Sequence, residues 1–269
     1  MRVPRRTPLL LGLVLSGILL SAASAHAVTR TWTGAGADDN WTTAANWGGI
    51  APSAGDDLVF PGGTPRLTPN NDFAASTSFN SLSFTGATGG YTLGGNAIQL
   101  VAGISATNTA GNNIVQLGVT LAASQTFTCA IPSISDRLTI SGPVDVGAFT
   151  LTYDATGAII NQNGGVSGTG GVTLIGGILF MVGNGTYTGP TNVTGGSFVL
   201  VGSSLAPASV VTVSGGLLQF SNGASTGPVT VTDARSAKPV STSARSAAHA
   251  AQATSSGCSS VVTARSPMA

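Results

Sequence analysis

TNVTGGSFVLVGSSLAPASVVTVSGGLLQFSNGASTGPVTV, residues 191–231, repeats one small pattern. A short run alternates apolar and polar residues, glycine, asparagine or serine interrupts it, and another run begins. Val193, Val211 and Val229 follow one another at intervals of about 18 residues, and Ile178, Phe198 and Leu217 keep nearly the same period. Such runs are too short for helices, and period-two alternation marks strands with one buried side. Recurrence at this interval predicts stacked coils. A lone coil cannot bury its inward residues. Stacked coils lay the Val, Leu and Ile of one rung on those of the next, and backbone groups pair along the stack at about 4.8 Å.

Working outward toward the N-terminus, the same alternation appears in SLSF (81–84), AIQLV (97–101), VTLAA (119–123), RLTI (137–140), FTLTY (149–153) and VTLI (172–175). Val119 and Leu138 are about 19 residues apart, again near one coil. The glycines and asparagines between runs suit corners, where positive φ is often required. Only 7% of residues are charged, against roughly 25% in an average chain. Like charges stacked rung upon rung repel, so a solenoid selects against them. Tandem hairpins in an antiparallel sandwich or jelly roll would give similar strands. The near-constant coil length favours an all-β chain folded as a parallel β-helix.

The ends of the chain differ from the middle. Arg2, Arg5 and Arg6 precede an apolar run from Pro8 to Leu20, and Ala25-His26-Ala27 offers a small-residue cleavage site. Residues 1–27 therefore read as a signal peptide. The apolar run is short for a membrane span of about 30 Å. No cysteine follows it to carry a lipid, so the mature chain is expected to be secreted or at the cell surface, with no stable transmembrane segment after cleavage. Residues 28–64 read as a tryptophan-rich N-terminal cap and 65–233 as the β-helical repeat domain. Residues 234–269 lose the strand pattern and gain arginine, alanine and serine. That tail reads either as a disordered extension or as the translation of a shifted reading frame.

Candidate chemistry is sparse. Between Val28 and Asp233 there is no histidine, glutamate or lysine, and the only cations are Arg30, Arg66 and Arg137. A net charge of +1 spread this thinly forms no phosphate-neutralising patch, so nucleic acid is not an expected partner. The missing histidine removes Ser-His-Asp and Cys-His arrangements and any histidine-based zinc site; His249 stands alone in the tail. No metal and no cofactor is expected, and no catalytic residue is assigned. Cys129 reads as a small buried hydrophobe, and Cys258 lies in the tail.

Aspartates are what remain. Asp56 and Asp57 are adjacent, so on a strand they point to opposite sides, and a glycosidase needs two carboxylates facing one bond. Asp38 and Asp39 precede Asn40 in a turn that oxygen-loving calcium would suit only weakly. Asp136 and Arg137 read as a turn and a solvent-facing pair; Asp145 and Asp154 are isolated. Thr-x-Thr triplets at Thr126/Thr128, Thr150/Thr152, Thr186/Thr188 and Thr230/Thr232 suggest a flat ice- or surface-binding array. Their intervals of about 24, 36 and 44 residues are too irregular for one triplet per coil.

Trp32, Trp41 and Trp47 are all the tryptophans of the chain. A solenoid end exposes a whole apolar rung that a cap must close, and indoles placed just before the first repeating strands fit that role. The competing reading is a carbohydrate platform, since indole faces stack on sugar rings.

GTYTGPTNVTGGSFVLVGS, residues 185–203, resembles the autotransporter-associated β-strand repeat, whose pattern runs roughly Y-T-G-x-T-x-V-x-x-G-x-L. Tyr187, Thr188, Gly189, Thr191, Val193 and Gly196 occupy its positions, with Phe198 replacing the usual leucine. The W-x-G opening and Pro52, Asp56, Asp57, Leu58 and Phe60 are similar to the start of exported proteins carrying such repeats. The resemblance implies a right-handed β-helical stalk, exported or surface-associated, and carries over no catalytic residue. No C-terminal run has the alternation of a translocating β-barrel. The function expected is a non-enzymatic, adhesin-like scaffold with an extracellular glycan or cell-surface partner. The alternative is a polysaccharide-binding or polysaccharide-cleaving β-helix.

Overall fold

The computed structural model describes residues 27–232 and the short strand Ser241–Thr242. Residues 1–26, nearly all of the segment read as a signal peptide, and the rest of the tail, with His249 and Cys258, lie outside the described residues. The described chain is nearly all strand, wound into a parallel β-solenoid of about eight turns. Every recorded strand pair is parallel and joins strands one coil apart, as the near-constant coil length predicts.

The column has three sides. The first face stacks 29–31, 57–61, 81–85, 103–106, 125–129, 151–154, 172–174, 191–193, 211–213 and 229–231. The second stacks 77–79, 98–100, 119–121, 144–145 and 166–167. The third stacks 92–93, 114–115, 138–140, 160–162, 179–181, 198–200 and 218–220. Ser241 and Thr242 pair with Gln219 and Phe220, adding one more strand to that third side. The rungs begin inside the segment read as a cap, because Thr29–Thr31 already pairs with Asp57–Val59.

Inward positions form continuous apolar rows. On the first face Leu58, Leu82, Ile104, Phe127, Tyr153, Leu174, Val193 and Val213 are buried one above another. Each such side chain removed from water contributes roughly 1.5–3 kcal/mol, and no residue could gain it without the neighbouring coil.

Register departs from the repeat spacing read in the sequence. Val193 pairs with Val213, and Val211 with Thr191 and Val229. Ile178 pairs with Ser197, and Phe198 with Leu179 and Leu218. Val119 and Leu138 lie on different faces, pairing with Val144 and Ile160. The corners hold different numbers of residues, so equal sequence spacing does not mean equal position on the coil.

All three tyrosines are buried, and each hydroxyl finds a partner, as buried polar groups must. The Tyr91 hydroxyl donates to the Pro61 carbonyl at 2.6 Å. Tyr153 reaches Gln162 Oε1 at 2.8 Å, and Tyr187 meets the Thr191 hydroxyl at 2.6 Å.

Candidate functional site

The tryptophans close the N-terminal end. Trp32 follows the first rung and sits on Phe60 of the next, with ring centroids 6.2 Å apart. Trp47 comes from the 3-10 turn Ala44–Trp47 and meets Trp32 edge-on at 5.1 Å. Trp41 packs edge-on against Trp47 and Phe79. Relative exposure is 0% for Trp32 and Trp41 and 5% for Trp47, so no indole face is open to a sugar ring. The carbohydrate platform therefore has no exposed surface here, and the three rings form a plug.

Polar groups fix the plug. Asn46, itself buried, accepts from the Gly36 N–H and donates to the carbonyls of Asp38 and Asn40. Arg66 donates to the Gly36 carbonyl and pairs with Asp39 at 2.8 Å, and its own carbonyl accepts from the Trp32 indole. The guanidinium beside Asp39 holds that carboxyl below the usual range, helped by the Thr68 hydroxyl. Sequence reasoning missed Asn46 and Arg66. The partners of Arg66 are up to 34 residues away, a distance spanned by the coil, whereas those of the Asn46 side chain lie within 10 residues in a loop that matches no standard motif.

The remaining aspartates are engaged singly in local structure. Asp56 pairs with Arg30 at 3.0 Å and accepts from the Ser53 N–H. Asp57, beginning the strand, accepts from Asn80 and Ser81 of the next coil. Asp38 accepts from the Asn40 N–H in an Asx turn, and hydrogen bonds from Thr43 and Asn40 lower its pKa. Asp72 accepts from Thr42. Asp145 and Asp154 each accept from the backbone two residues on. Asp136 and Arg137 do not form the expected pair: Arg137 leans toward the Ser135 carbonyl, and among the described residues only Arg30 and Arg66 form salt bridges. No cluster of metal-ligating acids or cysteines occurs among the described residues. Cys129 is buried on an inward row, and burial raises its thiol pKa.

The repeat residues build the column. Tyr187 and Thr191 continue a buried hydroxyl chain to Ser209, the last step 2.9 Å. Val193 and Phe198 fill the core, and Thr188 is exposed at a corner. Gly189 faces the Gly170 carbonyl, where a Cβ would come within 2.4 Å. Gly196 has φ 73° and lies over Gly177 with φ 72°.

A shallow apolar depression of about 520 Å³ lies over the corner near Ile134, Gly157 and Gly177. It has no convergent polar groups of the kind that orient a small ligand.

The outward positions of the first face are different. Thr126, Thr152, Thr173, Asn192, Thr212 and Thr230 stand in register along the column. The Thr-x-Thr triplets themselves do not recur once per coil, but single threonines at one outward position do. Thr150, Thr186 and Thr188 fall outside the row, whereas Thr173 and Thr212 belong to it without lying in a Thr-x-Thr triplet.

The class these features define is a capped parallel β-solenoid. Compared with known proteins, the chain matches no family model, no curated protein and no solved structure.

Proposed function

We propose that this chain is a non-enzymatic, exported β-solenoid that serves as a surface or extracellular scaffold of the adhesin-like kind. The observation that carries the reading is the spending of its aspartates. Seven of the eight in the described body hold a turn, a neighbouring coil or an arginine, and no two converge on a common cleft. Acid–base catalysis needs two such groups aimed at one bond, and the body has no histidine, glutamate or lysine to replace them. A long stiff column with a sealed N-terminal end is suited to holding attached groups at a distance. The likeness of residues 185–203 to the autotransporter-associated repeat and the signal-like first 27 residues support export to a surface.

The test combines localisation with turnover. An epitope-tagged full chain is followed by cell fractionation, and the purified chain is assayed on a glycan array and for release of reducing sugar. Export with no sugar release is the expected result. Retention in the cytoplasm, or turnover that a single Asp→Asn change abolishes, overturns the proposal.

A further inference from the structure

From its fifth rung on, the outward positions of the first face form two threonine-rich columns; the three rungs before present Asp57, Ser81 and Gly103 in one and Val59, Ser83 and Ser105 in the other. The first runs Thr126, Thr152, Thr173, Asn192, Thr212 and Thr230, each the register partner of the next. The second begins with the partners Thr128 and Asp154. The register shifts there, Asp154 pairing with Gly176 and leaving Ile175 as the bulged residue, and from Ile175 the column continues through Thr194, Ser214 and Thr232. Their N–H groups bond the carbonyls of Leu174, Val193 and Val213 one coil back. Of these twelve positions, eight are threonine and one more is serine.

The other faces lack this constancy. The second presents Gln99, Thr120, Asp145 and Ser167. The third runs Thr92, Ile114, Thr139, Asn161, Phe180, Val199 and Gln219, of which Thr139 and Val199 are buried. Threonine suits any exposed strand, yet only on the first face does it recur on successive rungs. On the first face the hydroxyls of Thr126, Thr128, Thr152, Thr173 and Thr212 bond no other described residue, so their hydrogen-bonding capacity is available to a ligand.

We infer that this threonine face binds the surface of ice. The array repeats at about 4.8 Å along the column and about 6.6 Å along each strand. It therefore complements a ligand that is itself periodic in two directions, and the oxygen planes of ice repeat at spacings of that size. Charge points the same way: Asp154 is the only charged side chain among the twelve positions, with Asp57 three rungs before Thr126 in the same column, and a nearly uncharged array complements a neutral lattice. Area argues against a protein occupant. Six rungs by two residues present on the order of 300 Å², well below the roughly 800 Å² per partner of a stable interface. β-branched threonines are stiff at χ1, so the hydroxyls and methyls are held in place before contact.

The test grows ice slowly from a solution of the full chain and measures the fraction of protein taken into it. Wild type is expected to concentrate in the ice. A Thr173→Lys/Thr212→Lys variant should lose uptake at least about tenfold while its circular dichroism is unchanged, and Thr120→Lys on the second face should keep it. Should the double lysine variant fail to fold, Thr212→Tyr serves, because strands accept tyrosine and its ring stands above the array. Exclusion of wild type from ice overturns the inference. So does equal loss in Thr120→Lys, or undiminished uptake by the folded array variant. The scaffold reading rests on export and turnover and is decided separately.

Discussion

The indole N–H of Trp47 donates to the backbone carbonyl of Trp41 at 2.8 Å, while the N–H of Trp41 itself meets no acceptor among the described residues. The plug thus holds three indoles of unequal worth. Trp32 also spends its N–H, on the Arg66 carbonyl at 2.9 Å. Replacing each by phenylalanine separates volume from hydrogen bonding. Trp47→Phe and Trp32→Phe lose a bond worth about 1 kcal/mol in addition to packing, and the buried carbonyl of Trp41 is left bare in the first case. Trp41→Phe removes a donor already unpaired, so it should be the mildest of the three by about 1–2 kcal/mol. Urea titration of the three variants gives the order.

Burial of the rings predicts their optical behaviour. With every tryptophan of the chain at 5% exposure or less, emission should be blue-shifted and little quenched by acrylamide. Soluble glycans should leave it unchanged. Strong quenching by a glycan would mean that the cap opens to present its indoles.

Corner glycines should differ in what they tolerate, according to what a side chain would meet. Gly177 has φ 72°, and a Cβ there would lie 1.6 Å from the Ala155 carbonyl oxygen. Gly177→Ala combines a left-handed backbone penalty with a clash against main chain, a loss on the order of 2–5 kcal/mol. Gly157, with similar φ and open space around the added Cβ, should cost only the backbone part of about 1–2 kcal/mol. Thermal melts of the two alanine variants measure the difference.

Strands and coils were legible in the sequence because alternation such as Val211-Thr212-Val213 is local. Register was not, because it depends on how many residues each corner absorbs. The step from Thr126 to Thr152 takes 26 residues and that from Thr212 to Thr230 takes 18, yet both land in one row. For that reason the threonine face was invisible as an array, although its members were in plain sight. The tryptophans announced themselves by crowding into 16 residues. The groups that orient them did not, since Arg66 reaches Gly36 and Asp39 only after the chain has completed a coil. Thr29–Thr31 is three polar-leaning residues, and only its pairing with Asp57–Val59 makes it a rung.

Alkali should loosen the column through its buried phenols. Burial raises the Tyr187 pKa from 10.0 to about 12, outweighing the hydrogen bonds from Thr191 and Ser209 that favour the phenolate. Tyr153, wholly inside the core, is raised as well, chiefly by the same loss of hydration. In the unfolded chain these hydroxyls titrate near 10, so below that pH both states keep the proton and stability is level. Between about pH 10 and 12 the unfolded chain sheds the proton that folded Tyr187 retains, and unfolding becomes easier as pH rises. Two pKa units correspond to roughly 2–3 kcal/mol from Tyr187 alone. Tyr187→Phe forgoes the hydrogen bond to Thr191, while Thr191 and Ser209 still bond each other. The variant should therefore be about 1 kcal/mol less stable than wild type at neutral pH but lose less on going to pH 11.5. Urea midpoints at pH 8 and pH 11.5 measure the crossover, and an equal alkaline loss in both proteins would assign the effect to another group.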